Sequence, residues 1–374
     1  MCKSFRSAPT FAHRSADYIR SCVKAFSLSQ KPSTHLRIGK IPSGKQAFRG
    51  NFANPRFVIC NFMKQTLLTI FSFFIFGFSF SQEKQIIETT DIDNFWIAFD
   101  KLKSATNQSD SIKIIQTNYI DKSTEYFKEF IRLRNFTAEE YVKLIGKYPK
   151  FWNSIRKETE KIKHRKDEIE KVLDIYEKTL PNFKRPNVCF AIGCLRTGGT
   201  ISDNLILIGA ELSASTFETE KSELSPWLKN VIGTFGDIVS MVSHETIHTQ
   251  QKNGKLKNLV EFTINEGVAD FLSEKIAGFN INKVSFAYGQ ENDCKLRQDF
   301  IKDFSKNKTD ISNWLYNGSK STERPADLGY YIGYKIAEEY YNKSKDKVKA
   351  ISILLDRKNY MKIFKKSEYI KKSC

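Results

Sequence analysis

Hydrophobic residues between positions 155 and 176 recur at a helical spacing. Ile155, Ile162, Ile169 and Tyr176 follow one another every seven residues within a segment rich in lysine and glutamate. Residues seven apart lie on nearly the same face of a helix, so the pattern predicts a long amphipathic helix that packs one stripe against the body of the protein. His164 lies two positions from this stripe and is therefore expected at the surface.

The pattern changes near residue 180. From 92 to 180 charged and apolar positions alternate at helical spacing with little glycine or proline, whereas 188–195 and 205–208 read as two strands that flank a glycine-rich turn. The two strands predict an antiparallel hairpin. The fold class that follows is α+β, mainly α, with a helical region over 82–180 before a domain over 181–374 that contains a small antiparallel sheet.

An apolar run also lies close to the start of the chain. Met63, Lys64 and Gln65 precede an apolar core of 14 residues, and Ser79 and Ser81 supply the small residues that a signal peptidase reads. Because a spanning helix needs roughly 20 apolar residues, 63–81 is predicted to be a secretory signal peptide that begins at Met63. The protein is then exported, periplasmic or extracellular, and meets the membrane only through this signal.

Residues 1–62 are predicted to be a disordered, non-native extension, because an export signal is expected at the start of a chain. The alternative is a basic cytoplasmic tail before a short signal anchor. This stretch holds eleven lysines and arginines but a single acid, Asp17, and so supplies +10 of the net charge of +18. The +8 left on the rest of the chain does not indicate a nucleic-acid partner.

Four cysteines follow the predicted signal peptide: Cys189, Cys194, Cys294 and Cys374. Export permits disulfides, but a domain of this size can bury its own core without them. Cys189 and Cys194 lie five apart in a predicted strand and so point to opposite faces, and they are expected as buried free thiols that do not pair with each other. No cysteine lies between Cys60 and Cys189, so the apolar run is not followed by a residue for lipid attachment, and a soluble exported protein is expected.

The strongest chemical pattern is His-Glu-Thr-Ile-His at 244–248, followed eighteen residues later by Glu266. Positions i and i+4 share one helix face, so His244 and His248 can bind a single Zn²⁺ with Glu266 as third ligand. Glu245 would then face the metal-bound water and act as general base. The alternative is that these are two ordinary helices without a metal site, whose histidines and acidic residues face solvent or each other.

Further residues can be assigned roles around this centre. Asp270 lies four positions after Glu266 and is predicted, with Asn265, to support the ligands as a hydrogen-bond partner. The segment 205–211 is predicted either as a strand edge that aligns a peptide substrate or as a plain core strand. Its proposed substrate contacts are Leu207, Gly209 and Glu211.

Together, His244-Glu245-x-x-His248 and Asn265-Glu266-x-x-Ala269-Asp270 resemble the motifs of the gluzincin, thermolysin-like metallopeptidases. The stretches 207–211 and 324–334 are similar to a family of uncharacterised secreted bacterial proteins described as predicted zinc-dependent proteases. The resemblance runs from about residue 141 to the C-terminus. It implies a zincin-like catalytic domain over 181–374, one Zn²⁺ and hydrolysis of peptide bonds.

The sequence departs from the thermolysin-like pattern in one respect. Those enzymes commonly stabilise the oxyanion with a downstream histidine, but no histidine follows His248. The donor is therefore sought among Tyr330, Tyr331, Tyr334 and Arg324, because a phenol or a guanidinium can stabilise developing negative charge. Packing of the tyrosines in the core is the alternative.

The function expected from these motifs is an exported zinc metallopeptidase with a peptide or protein substrate. Two alternatives stay open. One is a binding or assembly protein of the cell envelope that keeps a zinc-peptidase fold for structure and has no turnover. The other is a zinc hydrolase of non-peptide amide or ester bonds. The sequence does not indicate an oligomeric state.

Overall fold

Helices form most of the chain in the computed structural model, which describes residues 86–233, 237–318 and 324–374. The α-helices are α1 (Thr90–Lys101), α2 (Gln108–Ile115), α3 (Glu125–Arg134), α4 (Ala138–Lys147), α5 (Pro149–Glu160), α6 (Lys166–Thr179), α7 (Ala210–Ser213), α8 (Pro226–Val231), α9 (Ile238–Gln250), α10 (Leu259–Leu272), α11 (Lys283–Glu291), α12 (Asp293–Lys306), α13 (Leu328–Lys343), α14 (Lys347–Leu354) and α15 (Tyr360–Ser367). Short 3₁₀ or π segments cover Leu102–Ser104, Gln116–Ile120, Lys161–Arg165, Ser273–Ala277, Arg357–Asn359 and Tyr369–Lys371.

The sheet has four strands, β1 (Ile87–Glu88), β2 (Asn187–Ala191), β3 (Gly199–Ser202) and β4 (Leu205–Gly209), in the order β1-β2-β4-β3. β2 pairs in parallel with both β1 and β4, whereas β3 pairs antiparallel with β4. The prediction of a mainly α, α+β fold is confirmed.

The predicted antiparallel hairpin is wrong in its pairing. The two predicted strands became β2 and β4, which are parallel because the chain reverses twice between them. The first reversal leads into β3, and the second is a tight turn at Asp203, whose φ is 48°. The polar pair Asp203-Asn204 suits such a turn. The sheet is therefore mixed, and its antiparallel part is β3 with β4.

The predicted amphipathic stripe is buried. Ile155, Ile162, Ile169 and Tyr176 are all at most 1% exposed, and His164 is exposed as expected. The helix is not continuous, however, because a 3₁₀ segment separates α5 from α6. The stripe therefore packs one surface through two successive helices.

Aromatic side chains fasten the N-terminal helices to the sheet. The rings of Phe95, Tyr119, Tyr141 and Trp152 pack against one another. The hydroxyls of Tyr119 and Tyr141 both donate to the carbonyl oxygen of Ile192, at 2.6 and 2.7 Å. These two hydrogen bonds fix the chain directly after β2, and this chain leads into β3.

The prediction of buried free thiols is confirmed, and the other two cysteines pair with each other. Cys189 and Cys194 are buried free thiols. Cys294 and Cys374 form a disulfide that ties α12 to the C-terminal residue. Sequence spacing could not reveal this pairing, because 80 positions separate the two residues and only the tertiary fold brings them together.

The chain divides into units 1–81 and 82–374. The predicted extension over 1–62 and the signal peptide over 63–81 lie outside the described residues, so both stay predictions, as does the boundary between 82–180 and 181–374. In the described part of the chain no helix is both long and apolar enough to cross a membrane.

Candidate metal centre

Two helices bring the predicted ligands together. α9 begins after Asp237, whose side chain accepts from the amide of Val239, and α10 begins after Asn258, whose side chain accepts from the amide of Glu261. Such capping satisfies backbone donors that would otherwise lack partners at the helix start. The helices pack together, and their facing sides carry the two histidines and Glu266, all at most 9% exposed.

The three donor atoms lie at the separations that a tetrahedral ion requires. His244 Nε2 is 3.0 Å from His248 Nε2, and Glu266 Oε2 is 3.2 Å from His248 Nε2 and 3.7 Å from His244 Nε2. Zinc bonds of about 2.0–2.1 Å at tetrahedral angles place neighbouring ligand atoms about 3.3 Å apart. Among the described residues this is the group of three that could hold a metal ion.

Each histidine has an oxygen partner on its other ring nitrogen. Asp270 Oδ1 lies 2.8 Å from His244 Nδ1, so Asp270 supports a histidine as predicted. Gln251 Oε1 lies 2.8 Å from His248 Nδ1. An acceptor at Nδ1 holds the proton there and leaves the Nε2 lone pair free for a metal. Gln251 was not predicted, although its place three residues after His248, about one helical turn away, was a usable signal.

Two further side chains hold the carboxylate ligand. The hydroxyl of Tyr316 donates to Glu266 Oε1 at 2.7 Å, and Asn265 Nδ2 lies 3.4 Å from the same oxygen. Asn265 is itself fixed by Arg357, whose Nε donates to its Oδ1 at 3.0 Å. Tyr316 and Arg357 were missed, because neither belongs to a motif and each comes from a distant part of the chain.

The centre carries an excess of negative charge. Burial alone would raise the pKa of Glu266, but His248 and His244 lower it well below its ordinary value. Burial alone would lower the pKa of His244, but Asp270 and Glu266 raise it to about 10. Three carboxylates, counting Glu245, surround two imidazoles, and this arrangement favours a bound cation.

The centre opens on a cleft of about 1080 Å³. Glu245 lies on the cleft floor, is 7% exposed and has a pKa raised by burial. A Cβ added to Gly199 would lie 2.5 Å from Glu245 Oε1 and 3.0 Å from its Cγ, so β3 passes directly over this carboxylate. The ring of Tyr330 stacks 6.2 Å from that of His244.

The four predicted oxyanion donors do not share one location. Tyr330 and Arg324 line the cleft. Tyr331 is rotated about 100° from Tyr330 around the axis of α13, and its hydroxyl donates to Asp293. The ring of Tyr334 packs against Phe271 and Phe286. The prediction is therefore wrong in placing Tyr331 and Tyr334 at the centre. Tyr331 points to a different side of α13 from Tyr330, and Tyr334 lies one helical turn further along, where it packs among aromatic rings.

The predicted strand edge is also wrong. β4 lies between β2 and β3, so Leu207 and Gly209 belong to an interior strand. Glu211 is 0% exposed and accepts hydrogen bonds from the amides of Gly193 and Leu195, at 2.8 and 3.0 Å. Burial raises the pKa of Glu211 to about 7. The edge that faces the cleft is β3.

Comparison with known proteins gives one family. A family model described as Gliding motility protein GldB matches residues 81–371. The chain belongs to this family. The GldB family is a family of lipoproteins, which places the protein in the cell envelope and agrees with the coarse prediction of export. No curated protein and no solved structure matches the chain.

This membership overturns the peptidase interpretation. The matched family is one of gliding motility proteins and not of zinc metallopeptidases, so the gluzincin resemblance, the hydrolytic role and the peptidase assignment are wrong. The reason is physical. The spacing of two histidines on a helix and of a later glutamate specifies how an ion is held, and turnover does not follow from how it is held.

Proposed function

We propose that this GldB-family protein is a binding or assembly component of the gliding apparatus in the cell envelope, with one Zn²⁺ as a structural centre and without turnover. His244, His248 and Glu266 would hold the ion. The α9–α10 pair would keep the zincin-like arrangement as a frame for the cleft. The observation that supports this most strongly is the set of three donor-atom separations of 3.0, 3.2 and 3.7 Å within a member of a motility family.

A metal at this place would stabilise the fold by linking two helices. His248 and Glu266 are eighteen residues apart in sequence, and their side chains project from separate helices into a buried space. Binding to the folded state alone adds about 4 kcal/mol to the free energy of unfolding when the free ion exceeds its Kd about a thousandfold. Three protein donors leave one position of a tetrahedral ion for water or for a group of a partner.

Metal analysis of the purified full chain tests the centre. Wild-type protein is expected to hold about one zinc per chain, and His248→Ala is expected to lose most of it. His164→Ala is the matched control, because His164 is exposed and remote from the centre. Wild-type protein that takes up no zinc, and whose melting temperature does not respond to zinc, contradicts the proposal.

The absence of turnover is tested separately. Zinc-loaded and chelated protein are incubated with a peptide library, and the products are read by mass spectrometry. No zinc-dependent cleavage is expected. Cleavage that disappears on chelation and in Glu266→Gln would replace the structural role by a catalytic one.

We further propose export by the signal at 63–81. The mature N-terminus, read by mass spectrometry from envelope fractions, is expected close to Gln82. A mature protein that retains residues before Met63 contradicts this proposal.

A further inference from the structure

We propose that the cleft binds an extended segment of a partner polypeptide, in which acidic and apolar residues alternate, as a strand added to β3. This inference rests on the proposed function in one respect: it takes the cleft as a docking site. It names the chemistry of the partner, which the metal centre alone does not.

The first observation is the outer edge of β3, which pairs with no further strand among the described residues. The amide of Gly209 donates to the carbonyl oxygen of Gly198 at 3.0 Å, so these two residues form a hydrogen-bonded pair of the antiparallel ladder. The pairs alternate along such a ladder, which directs the backbone groups of Gly199 and Ile201 away from β4. Thr197 Oγ1 donates to the carbonyl oxygen of Gly199. The amides of Gly199 and Ile201 and the carbonyl oxygen of Ile201 then face the cleft.

The second observation is the cleft floor beneath this edge. Glu245 is 7% exposed and lies against Gly199, and its carboxylate accepts no hydrogen bond from the described residues. Arg134 also lines the cleft, and its Nε is buried without a hydrogen-bond partner there. A buried polar group without a partner is costly. A bound backbone supplies an amide for Glu245, and a carboxylate on the segment supplies an acceptor for Arg134.

The third observation is the charge of the cleft. Its described lining carries five basic side chains and three acidic ones. The basic residues are Arg134, Arg196, Lys283, Arg324 and Arg357, and the acidic residues are Glu245, Glu266 and Asp327. Arg196 is paired with Glu140, so four basic side chains remain against three acidic ones. The proposed zinc ion would add two further positive charges beside Glu266. This excess attracts an acidic segment and repels a basic one.

The fourth observation is the apolar surface at the cleft mouth. Tyr316 and Val284 both line the cleft, and they are 60% and 57% exposed. The Tyr316 ring is open to solvent even though its hydroxyl reaches Glu266. Side chains of an added strand point alternately to its two faces. One face can therefore meet the basic residues while the other covers these two apolar side chains.

Titration calorimetry with the zinc-loaded full chain tests the inference. The probes are three end-capped peptides of roughly eight residues, within the usual range of strand length. One alternates glutamate and valine, one alternates lysine and valine, and one is the glutamate peptide N-methylated at alternate amides. The glutamate peptide is expected to bind at least about tenfold more tightly than the other two, because charge and backbone pairing both contribute. Equal affinity for all three, or tighter binding of the lysine peptide, overturns the proposal.

A backbone substitution locates the site. Ile201→Pro removes the outward amide and leaves the ladder to β4 intact, whereas Ile201→Val keeps the amide and serves as the matched control. The proline variant is expected to bind the glutamate peptide about three- to tenfold more weakly, and the valine variant as wild type.

Hydrogen exchange on wild-type protein gives an independent readout that does not depend on the folding of the variant. The amides of Gly199 and Ile201 should be protected by the glutamate peptide, and unchanged exchange at both contradicts strand addition. Zinc content and peptide integrity are measured on the same samples. If the peptide binds to protein that contains no zinc, the docking inference stands and the proposed metal centre is contradicted. If the peptide is cleaved, the proposed non-catalytic function is contradicted.

Discussion

The contact of α10 with α13 provides the sharpest quantitative prediction for the fold. The two helices cross at Gly267 and Gly333. A Cβ added to Gly333 would lie 2.7 Å from the carbonyl carbon of Thr263 and 3.0 Å from Gly267 Cα, and closer still to the Thr263 carbonyl oxygen. Ordinary contacts of a Cβ begin near 3.4 Å. Gly333→Ala therefore forces the helices apart by at least about 0.7 Å, because backbone atoms cannot rotate away as a side chain can.

The magnitude follows from two opposing terms. Overpacking of a well-packed core costs about 1–3 kcal/mol, and contact between backbones favours the upper value. Alanine offsets about 1 kcal/mol, since it is the better helix former. The free energy of unfolding should fall by about 2 kcal/mol, which lowers the melting temperature of a unit of this size by roughly 3 °C. Because Glu266 precedes Gly267, zinc affinity should fall as well.

Urea unfolding of the zinc-loaded protein measures the loss, and Gly146→Ala is the matched control. Gly146 lies in α4, and an added Cβ would meet nothing within 4 Å. That substitution should raise the free energy of unfolding by up to about 1 kcal/mol. If both alanine variants are stabilised alike, the helices are not in backbone contact at Gly333 and the reasoning fails.

Three other predictions concern single side chains. Tyr316→Phe removes the hydroxyl that donates to Glu266 and should weaken zinc binding about tenfold, measured by competition with a chelating dye; an unchanged Kd contradicts it. Burial raises the folded pKa of Glu211 to about 7. The contribution of Glu211 to the free energy of unfolding is therefore full below the unfolded pKa near 4.5 and falls by roughly 3 kcal/mol as pH rises through 7. Urea unfolding at several pH values should show this slope in the wild type, and an equal slope in Glu211→Gln removes the assignment. Cys374→Ser opens a disulfide between residues 80 apart in sequence and should cost about 2–4 kcal/mol in non-reducing urea unfolding, whereas no loss places the stability elsewhere.

Local patterns predicted the local features of the fold. The stripe from Ile155 to Tyr176 follows from helical periodicity, and His164 follows from its place outside the stripe. The shared helix face of His244 and His248 follows from the i, i+4 rule, which depends on the geometry of one helix. Asp270 follows in the same way from its spacing to Glu266. These features required no knowledge of the tertiary fold.

Local sequence patterns could not predict the long-range features of the fold. The parallel pairing of β2 with β4 depends on the short strand β3, whose four residues give little periodicity to detect. Tyr316 reaches Glu266 from 50 positions away, and the Cys294–Cys374 pair is further apart still. Each is set by how helices pack, and a single sequence does not encode packing as a repeating pattern.

The motif and the family agree once holding an ion and using it are treated as separate properties. Buried imidazoles with oriented tautomers and a neighbouring carboxylate lower the free energy of a bound cation whatever happens afterwards. Turnover requires in addition that a substrate bond be placed at the ion and that charge developing on it be stabilised. Of the four side chains predicted for that second task, Tyr331 and Tyr334 point elsewhere, and Arg324 donates to the Asn313 carbonyl and stacks on Trp314. Tyr330 alone of the four has its ring beside a ligand, His244. The cluster thus offers a partner for every proposed ligand, whereas only one of the four suggested donors lies beside it, and the docking cleft on a zinc-stabilised frame that we propose is consistent with both observations.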